Sequence, residues 1–419
     1  MKLINGLFDF IKKSPTAYHT VASAEKMLKD AGYTELSECE DFKLSDGGKY
    51  YIKKNGSSLV AFRYNKDARG FMICASHGDS PSFKVKGDAK GAVYTKLDVE
   101  KYGGMIYYTW LDRPLSVAGR VYLKSDTGIE CRLVNIDKDV AVIPSVAIHM
   151  NRAVNDGYKF NPAVDLLPLA SLGTEGISEL IASELSVKSE DIISHDLFLY
   201  VRDEGRTIGE DYVLSPRLDD LACVYSSLVA FLDAKSMKTL PVFAVFDNEE
   251  VGSETKQGAA SSFFSDVLRE IAGEKYAKML PASFMVSADN AHAIHPNHPE
   301  LTDKANNAAL GGGIVIKYNA NQRYTTDAYS DAIFRSIAEK ADAKVQIFSN
   351  RADMLGGSTL GSIATTKLPV ATVDIGLPQL EMHSAFETMG ASEISDMVKA
   401  LTKFYSTSLT KNGDKTEIN

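Results

Sequence analysis

The chain has 419 residues, 44% of them hydrophobic and 24% charged, a balance typical of a globular enzyme with room for two domains. Lysines and arginines number 46 against 55 aspartates and glutamates, and the resulting net charge of −9 argues against a nucleic-acid binder, which needs a basic face. No stretch approaches the roughly 18 apolar residues of a membrane span, and residues 1–15 are too polar for a signal peptide. We therefore expect a cytoplasmic protein that binds neither nucleic acid nor a membrane.

Residues 3–12 and 20–31 have the periodicity of amphipathic helices. Four later apolar segments end abruptly in polar clusters, as buried strands do: Gly70–Ser76, Leu240–Phe246, Ser283–Ala288 and Ala371–Ile375. Further helical patterns occur at 218–234, 260–273, 326–341 and 391–408. This alternation of strands and helices predicts an α/β fold with a mostly parallel sheet sandwiched by helices.

Residues 89–208 have a different pattern, with short alternating strands and many turn residues. The predicted elements are strands at Met105–Leu111, Arg120–Lys124 and Cys131–Ile136, and a helix near 177–185. We interpret residues 89–208 as an inserted β-rich domain. Residues 1–88 and 209–419 would then form a discontinuous catalytic domain around the predicted sheet.

Residues with the chemistry of metal ligands follow the predicted strands or open a predicted helix. They are His77, Asp219, Glu249, Glu250, Asp289 and His383. Alone, each has an ordinary explanation, such as a helix N-cap for Asp219 or a surface pair for Glu249 and Glu250. Because the carboxyl ends of parallel strands meet at one edge of a sheet, their recurrence at strand ends favours a shared cleft. Two carboxylates directly after the apolar segment Val242–Phe246 are also costly unless they are paired or bind metal.

This set of nitrogen and oxygen ligands suits two ions about 3.5–4 Å apart. Each ion would take one histidine, one terminal carboxylate and a share of one bridging aspartate. One acid is then left over for proton transfer, as hydrolysis requires. The pattern therefore predicts a two-metal hydrolase.

Five motifs occur in an order and spacing that are highly specific: SHGDSP at 76–81, RLDDL at 217–221, DNEEVGS at 247–253, ADNAHAIHPN at 288–297 and PQLEMHS at 378–384. In these motifs the chain resembles the aspartyl aminopeptidase family, metallopeptidase family 18. The resemblance extends from about Ile11 to about Glu387, nearly the whole chain. It implies an aminopeptidase that removes the N-terminal residue from short peptides.

The resemblance also implies a role for each ligand. The implied metal ligands are His77 with Asp289 on one ion, Glu250 with His383 on the other, and Asp219 as the bridge. Glu249 would be the general base and then the general acid, and Asp79 would orient the imidazole of His77. The implied cofactors are two divalent ions, zinc first, with cobalt and manganese also suited to these ligands.

Four further positions match substrate contacts of the family: His149, His292, Lys317 and Tyr324. Without the resemblance, His149 would be a half-buried strand residue, and Lys317 would be a charge facing solvent at a strand end. A Lys317 that points into the specificity pocket would favour acidic N-terminal residues, whereas the family also includes members that prefer neutral or basic ones.

The sequence departs from the commonest family pattern at two positions. Gly78 replaces a threonine, and Asp220 replaces the asparagine that usually follows the bridging aspartate. The second carboxylate adds charge to the site, which leaves the metal preference open. In related two-metal peptidases the peptide bond after the bridging aspartate is cis, and the resemblance implies the same for Asp219–Asp220.

The family assembles dimers into tetrahedral dodecamers whose active sites face an enclosed chamber, and the resemblance implies this assembly here. Apolar side chains close together in the insertion would supply a dimerisation surface, or else pack inside the insertion: Tyr102, Ile106, Tyr107, Tyr108 and Trp110. In a dimer, His149 could reach the partner's active site. Two alternatives are an N-deacylase or dipeptidase on the same metal site, and an inactive scaffold, which would not need Glu249 and all five ligands.

Overall fold

The computed structural model describes residues 1–90, 93–171, 176–235 and 238–419. These residues form two compact units, one of residues 1–79, 205–382 and 387–419, and one of residues 80–204 and 383–386. Across the ranges described, no helix is long and apolar enough to cross a membrane.

The first unit is built on a mixed sheet. Its nine described strands lie side by side in the order Thr34–Glu35, Lys49–Lys54, Ser58–Arg63, Leu240–Phe246, Phe71–His77, Phe284–Ala288, Ala371–Gly376, Ile314–Tyr318 and Val345–Ser349. The four central strands, from Leu240–Phe246 to Ala371–Gly376, are parallel to one another. Antiparallel pairs occur toward both edges. The expected α/β fold is therefore found, and its parallel part is the centre of the sheet.

Helices cover both faces of this sheet because its central strands are apolar on both sides. In Phe71–His77, Met72 and Cys74 face one hydrophobic core, and Ile73 and Ala75 face the other. The first core is covered by Lys2–Lys12, Ala17–Asp30, Leu218–Asp233, Ala328–Lys340 and Glu393–Tyr405. The second is covered by Phe263–Ala272, Tyr276–Met279 and Leu360–Ala364. The predicted helices of this unit are thus confirmed, to within a few residues at their ends.

Two smaller sheets complete the first unit. One has the strand order Arg206–Ile208, Tyr212–Ser215, Glu387–Gly390, Pro378–Leu380 and Ala291–His292. The other is the hairpin of Leu409–Asn412 and Lys415–Ile418. The five-stranded sheet contains the segments that follow the two central strands Phe284–Ala288 and Ala371–Gly376. It therefore lies at the edge where those strands end in polar residues.

The second unit contains a sheet with the order Ile192–Val201, Ser82–Lys90, Thr95–Tyr102, Leu169–Ala170, Ala141–Val142, Leu115–Ser125 and Gly128–Asn135. Ile192–Val201 also pairs with Leu115–Ser125, which closes the sheet on itself. Gly128–Asn135 lies outside this closed part and pairs with Leu115–Ser125. Within the described residues of the second unit, the α-helices are Pro162–Asp165 and Ile177–Leu185, the second at the predicted position.

The strand predicted at Met105–Leu111 is wrong, because Tyr107–Trp110 form a 3₁₀ helix. The amide of Thr109 donates to the carbonyl of Ile106, and the Thr109 hydroxyl donates to the same oxygen. Aromatic residues favour a strand only where a neighbouring strand pairs with them. Here the backbone forms local hydrogen bonds within a 3₁₀ helix instead.

The aromatic residues near this helix pack mainly inside the second unit. Trp110 is buried and meets Phe83 edge-on, with ring centroids 5.2 Å apart. Tyr107 makes a similar contact with Phe160 at 6.2 Å. Tyr108, in contrast, is 67% exposed. Trp110 and Tyr107 therefore pack inside the insertion, which was the second of the two alternatives for these aromatic residues.

Candidate metal centre

His77 is the last residue of a buried central strand and is 1% exposed. Its Nε2 atom lies 3.8 Å from a carboxylate oxygen of Asp219 and 3.9 Å from one of Asp289. Its Nδ1 atom lies 3.1 Å from the backbone oxygen of Asp79, an acceptor that favours a proton on Nδ1. Nε2 is then left to face the two carboxylates as a metal ligand would.

Asp289 reaches His77 through the parallel pairing of neighbouring strands. Phe284–Ala288 lies beside Phe71–His77 in parallel, so both strands end at the same edge of the sheet. The amide of Asp289 donates to Ile375 on the next strand, which continues the ladder past the strand end. The sheet therefore fixes the backbone from which each of the two side chains projects.

Asp219 lies in the distorted first turn of the helix Leu218–Asp233. Arg217 has a left-handed backbone with φ 57°, and the peptide bond between Asp219 and Asp220 is cis, as expected. The amide of Asp219 donates to a carboxylate oxygen of Glu387 at 3.0 Å. Glu387 therefore holds the backbone of the predicted bridging residue, a role that the five motifs, the last of which ends at Ser384, did not indicate.

Glu249 and Glu250 lie on a single 3₁₀ turn that begins after Asn248, whose φ is 63°. The two carboxylate oxygens of Asp79 accept hydrogen bonds from the amides of Glu249 and Glu250, each at 3.2 Å. A third contact places Asp79 Oδ1 3.4 Å from His77 Nδ1. Asp79 therefore contacts the His77 ring and also fixes the backbone of both neighbouring acids.

Among the described residues of the first unit, two groups of side chains have ligand atoms within 4.8 Å of one another: His77 with Asp219 and Asp289, and His77 with Glu249 and Glu250. One imidazole nitrogen and several carboxylate oxygens are the donors that zinc takes in catalytic sites. The residues present therefore fit a divalent metal ion.

The acids of this cluster lie in surroundings that disfavour their charged forms. Burial raises the pKa of Glu249 to about 8, against the opposing charge of His77 and with help from Asp289. Burial also raises the pKa of Asp289, although the nearby Lys317 lowers it. The pKa of His77 is well above its ordinary value: burial lowers it, but the hydrogen bond with Asp79 and the surrounding carboxylates outweigh burial. A bound cation would relieve this crowding of negative charge.

Asp220 and Asn290 form a second layer beneath the cluster. Asp220 has no exposed surface, and its carboxylate accepts from the amide of His77 at 3.2 Å. Burial raises the pKa of Asp220 well above its usual range. The side-chain amide of Asn290 donates to the backbone oxygen of Leu218 at 2.8 Å and to the side-chain oxygen of Gln379 at 2.7 Å. The first bond links the strand end to the helix that carries Asp219.

Lys317 is 2% exposed and its ammonium is held inside the protein. It donates to the backbone oxygen of Asn290 at 3.1 Å and lies 3.5 Å from a carboxylate oxygen of Asp289. The ring of Tyr324, itself 4% exposed, lies 5.3 Å from the Lys317 nitrogen. The two residues are thus neighbours, and the charge of Lys317 is directed at a metal-ligand candidate.

His292, His149 and His383 are the remaining three predicted residues. His292 is exposed in the first unit, its ring 6.2 Å from that of Phe348. His149 is exposed in the second unit. His383 groups with the second unit, where its carbonyl accepts from the amide of Ile106 at 3.0 Å.

Comparison with known proteins agrees with the motifs. The family model described as aminopeptidase I zinc metalloprotease (M18) matches residues 10–405. A probable M18 family aminopeptidase 2 of Clostridium novyi is 43% identical over 97% of this chain and 99% of its own length. The protein of that name in Pseudomonas aeruginosa strain PAO1 is 37% identical, with the same coverage.

Solved structures agree as well. The chain superposes on a structure from a complex of Ape4 and Nbr1 with a TM-score of 0.92 and 32% identity, covering 96% of this chain and 85% of that one. It also superposes on an mApe1 dodecamer of S. cerevisiae with a TM-score of 0.84 and 27% identity, covering 96% of both chains.

Proposed function

Because this chain belongs to the M18 family of zinc metalloaminopeptidases, we propose that it removes N-terminal residues from short peptides by a two-metal mechanism centred on His77 and Asp219. The observation that supports this most directly is the approach of His77 Nε2 to both Asp219 and Asp289, within 4 Å of each. Such a group is costly to bury without a cation to bind.

We assign the five ligands as the family motif does: His77 and Asp289 to one ion, Glu250 and His383 to the other, and Asp219 to both. When bound, the two ions would polarise the scissile carbonyl and stabilise the charge that develops on it. Zinc is the ion that we propose, because the family is described by it and the donors suit it.

Glu249 is the proposed general base. Burial raises the pKa of its carboxyl group in the metal-free protein, and the positive charge of bound ions would favour the ionised form that accepts a proton. It would take a proton from the attacking water and later give it to the leaving amine. Asp79 serves this step by holding the Glu249 amide, so that the carboxyl group stays in place between the two transfers.

The substrate end of the proposal rests on His149, His292, Lys317 and Tyr324. We propose that His292 and Tyr324 contact the bound peptide, and that His149 does so in the active site of a partner subunit. Lys317 would act on the site through Asp289, because its ammonium is already bonded inside the protein.

We also propose that the chain forms dimers, and that dimers assemble into a tetrahedral dodecamer. Support comes from the similar mApe1 structure, which is described as a dodecamer. In a closed assembly with inward-facing sites, folded proteins would be excluded and short peptides admitted. The proposed compartment is the cytoplasm, in keeping with four cysteines that are all free.

The test measures metal content and hydrolysis together. The purified protein should contain two ions per chain and cleave aminoacyl chromogenic amides, lose activity with a chelator, and regain it with divalent zinc, cobalt or manganese. N-acetylated amides should not be cleaved. Cleavage of N-acetylated substrates would instead indicate an N-deacylase, and a metal-loaded protein without any hydrolysis would indicate an inactive scaffold.

A further inference from the structure

The second unit ends its sheet in a strand with an open edge. Gly128–Asn135 pairs on one side with Leu115–Ser125, through a two-residue turn at Asp126 and Thr127. On its other side no strand pairing occurs within residues 1–90, 93–171, 176–235 and 238–419. Every residue from Gly128 to Arg132 is exposed, as is Leu133. We call Gly128–Asn135 the edge strand.

Natural proteins usually protect such an edge, because its unpaired amides and carbonyls can recruit another strand. Lysine, proline and bulges are common protective devices, and the edge strand has none of them. It instead exposes two large apolar side chains, Ile129 at 65% and Leu133 at 39%. An exposed edge with apolar side chains is an interaction surface.

The turn determines which backbone groups point outward. Ser125 and Gly128 flank a two-residue turn, so they form a hydrogen-bonded pair, and such pairs recur at every second residue. Glu130 and Arg132 therefore direct their amides and carbonyls at Leu115–Ser125. The amides and carbonyls of Ile129, Cys131 and Leu133 point away from it, toward the open side.

We propose that the edge strand pairs with the edge strand of a second copy of this chain, antiparallel and centred on Cys131. A pairing with two-fold symmetry is antiparallel, and it matches outward-facing residues with outward-facing residues. Under this two-fold symmetry, three registers let the two edge strands overlap over much of their length, and they are centred on residue 130, 131 or 132. The charged side chains distinguish these registers.

A register centred on Glu130 would set two glutamates opposite each other, and one centred on Arg132 would set two arginines opposite each other. Like charges directly opposite destabilise a strand pair. Centring on Cys131 places Glu130 opposite the partner's Arg132, twice by symmetry. Within one chain these residues already make an ion pair, with Nε of Arg132 2.8 Å from the Glu130 carboxylate, so their side chains lie on the same face.

The same register places Ile129 opposite the partner's Leu133, which covers both exposed apolar side chains. The occupant that fits the edge strand is therefore another copy of it, since the charge pattern and the apolar pattern are both self-complementary. This inference deepens the self-association proposed above and rests on it, but it does not depend on the metal centre.

Cysteine crosslinking tests the register directly. Cys131 and Cys39 are the exposed cysteines, whereas Cys74 and Cys223 are buried. In a Cys39→Ser protein, the two Cys131 residues would form a hydrogen-bonded pair with Cα atoms about 5.5 Å apart, within reach of a disulfide. Mild oxidation with diamide in dilute solution should therefore give a covalent dimer on a non-reducing gel, and Cys131→Ser should abolish it.

Shifted cysteines supply the matched control. In the Cys39→Ser, Cys131→Ser protein, Ile129→Cys alone should not crosslink, because the two copies would lie about 13 Å apart along the strands. Adding Leu133→Cys should restore crosslinking, since residue 129 faces the partner's 133. Equal crosslinking by Ile129→Cys alone would overturn the register.

Charge reversal gives a second check. In the Cys39→Ser background, Glu130→Arg should lower the yield of covalent dimer, and Glu130→Arg with Arg132→Glu should restore it. Aminopeptidase activity is measured on the same unoxidised samples. An oligomeric, active protein without crosslinking at Cys131 would overturn the edge-strand pairing and leave the proposed function intact, whereas a monomer would overturn the pairing and the self-association together.

Discussion

The ammonium of Lys317 lies 3.5 Å from a carboxylate oxygen of Asp289, with only 3% of the lysine side chain exposed. The lysine is therefore part of the charge balance of the proposed metal centre. Its position between Asp289 and the ring of Tyr324 leaves little of its charge for a substrate side chain.

We expect Lys317→Met to destabilise the chelator-treated protein by about 3 kcal/mol, because it leaves the buried Asp289 without its cation. Added zinc should reduce the difference in unfolding free energy between the variant and wild type, since the metal supplies positive charge to the same carboxylate. Urea unfolding with and without zinc measures both, and Lys304→Met at an exposed lysine is the control. If the variant instead keeps its stability and changes the preference between acidic and neutral N-terminal residues, Lys317 lines the specificity pocket.

Glu249→Gln should lower kcat at least about 10²-fold, because the amide cannot take the proton of the attacking water. Metal content should be unchanged, since Glu249 is not among the assigned ligands. Steady-state kinetics and elemental analysis check the two expectations, with Glu254→Gln as an exposed control a few residues away. Turnover close to wild type would mean that Glu249 is not the base.

Asp219→Ala should abolish activity and remove at least one ion per chain, because a bridging ligand serves both sites. Asp233→Ala, at the exposed far end of the same helix, should do neither. Elemental analysis that finds two ions per chain in folded Asp219→Ala protein would refute the bridging role.

Stability should fall with pH through the protonation of His19. Burial, with a smaller contribution from the charge of Arg217, lowers its pKa from 6.5 to about 4. The folded state then binds this proton less readily than the unfolded state, so the contribution is complete above pH 6.5 and is lost as the pH falls toward 4. Urea unfolding of chelator-treated protein between pH 7.5 and 5 should show a shallower decline for His19→Gln than for wild type. Parallel declines would contradict the expectation.

Mixing two inactive variants tests whether His149 acts in a partner subunit. We expect His149→Ala and Glu249→Gln to regain activity after dissociation and reassembly together, because some mixed dimers would contain one intact site. Random pairing limits the recovery to about a quarter of all sites. Subunit exchange is followed with a label on one variant, and complete exchange without recovered activity would place His149 outside the partner's site.

The four central strands of the first unit, and the ligand candidates that follow them, were predictable because both follow from one rule. A buried parallel strand is a short apolar run, and its polar residues collect where it ends, as at His77 and Asp289. The rule needs only local sequence. It therefore predicts which residues face the proposed metal centre without knowledge of the contacts between them.

Contacts across the fold could not be predicted in this way. The pairing of Asp79 with the amides of Glu249 and Glu250 depends on how two distant loops meet. The burial of Lys317 likewise depends on its neighbours, since a lysine at a strand end usually faces solvent. The strand prediction at Met105–Leu111 failed for a related reason: its aromatic residues suit a strand, but no strand among the described residues pairs with Tyr107–Trp110.

His77, Asp219 and Asp289 are spread over about half of the chain, and a ribosome adds residues in order. The first two therefore emerge before Asp289 and its strand Phe284–Ala288 have been made. That strand lies between Phe71–His77 and Ala371–Gly376, so its place in the sheet is completed later still. During synthesis, then, the set of proposed metal ligands stays incomplete until Asp289 has been made and its strand has taken its place in the sheet.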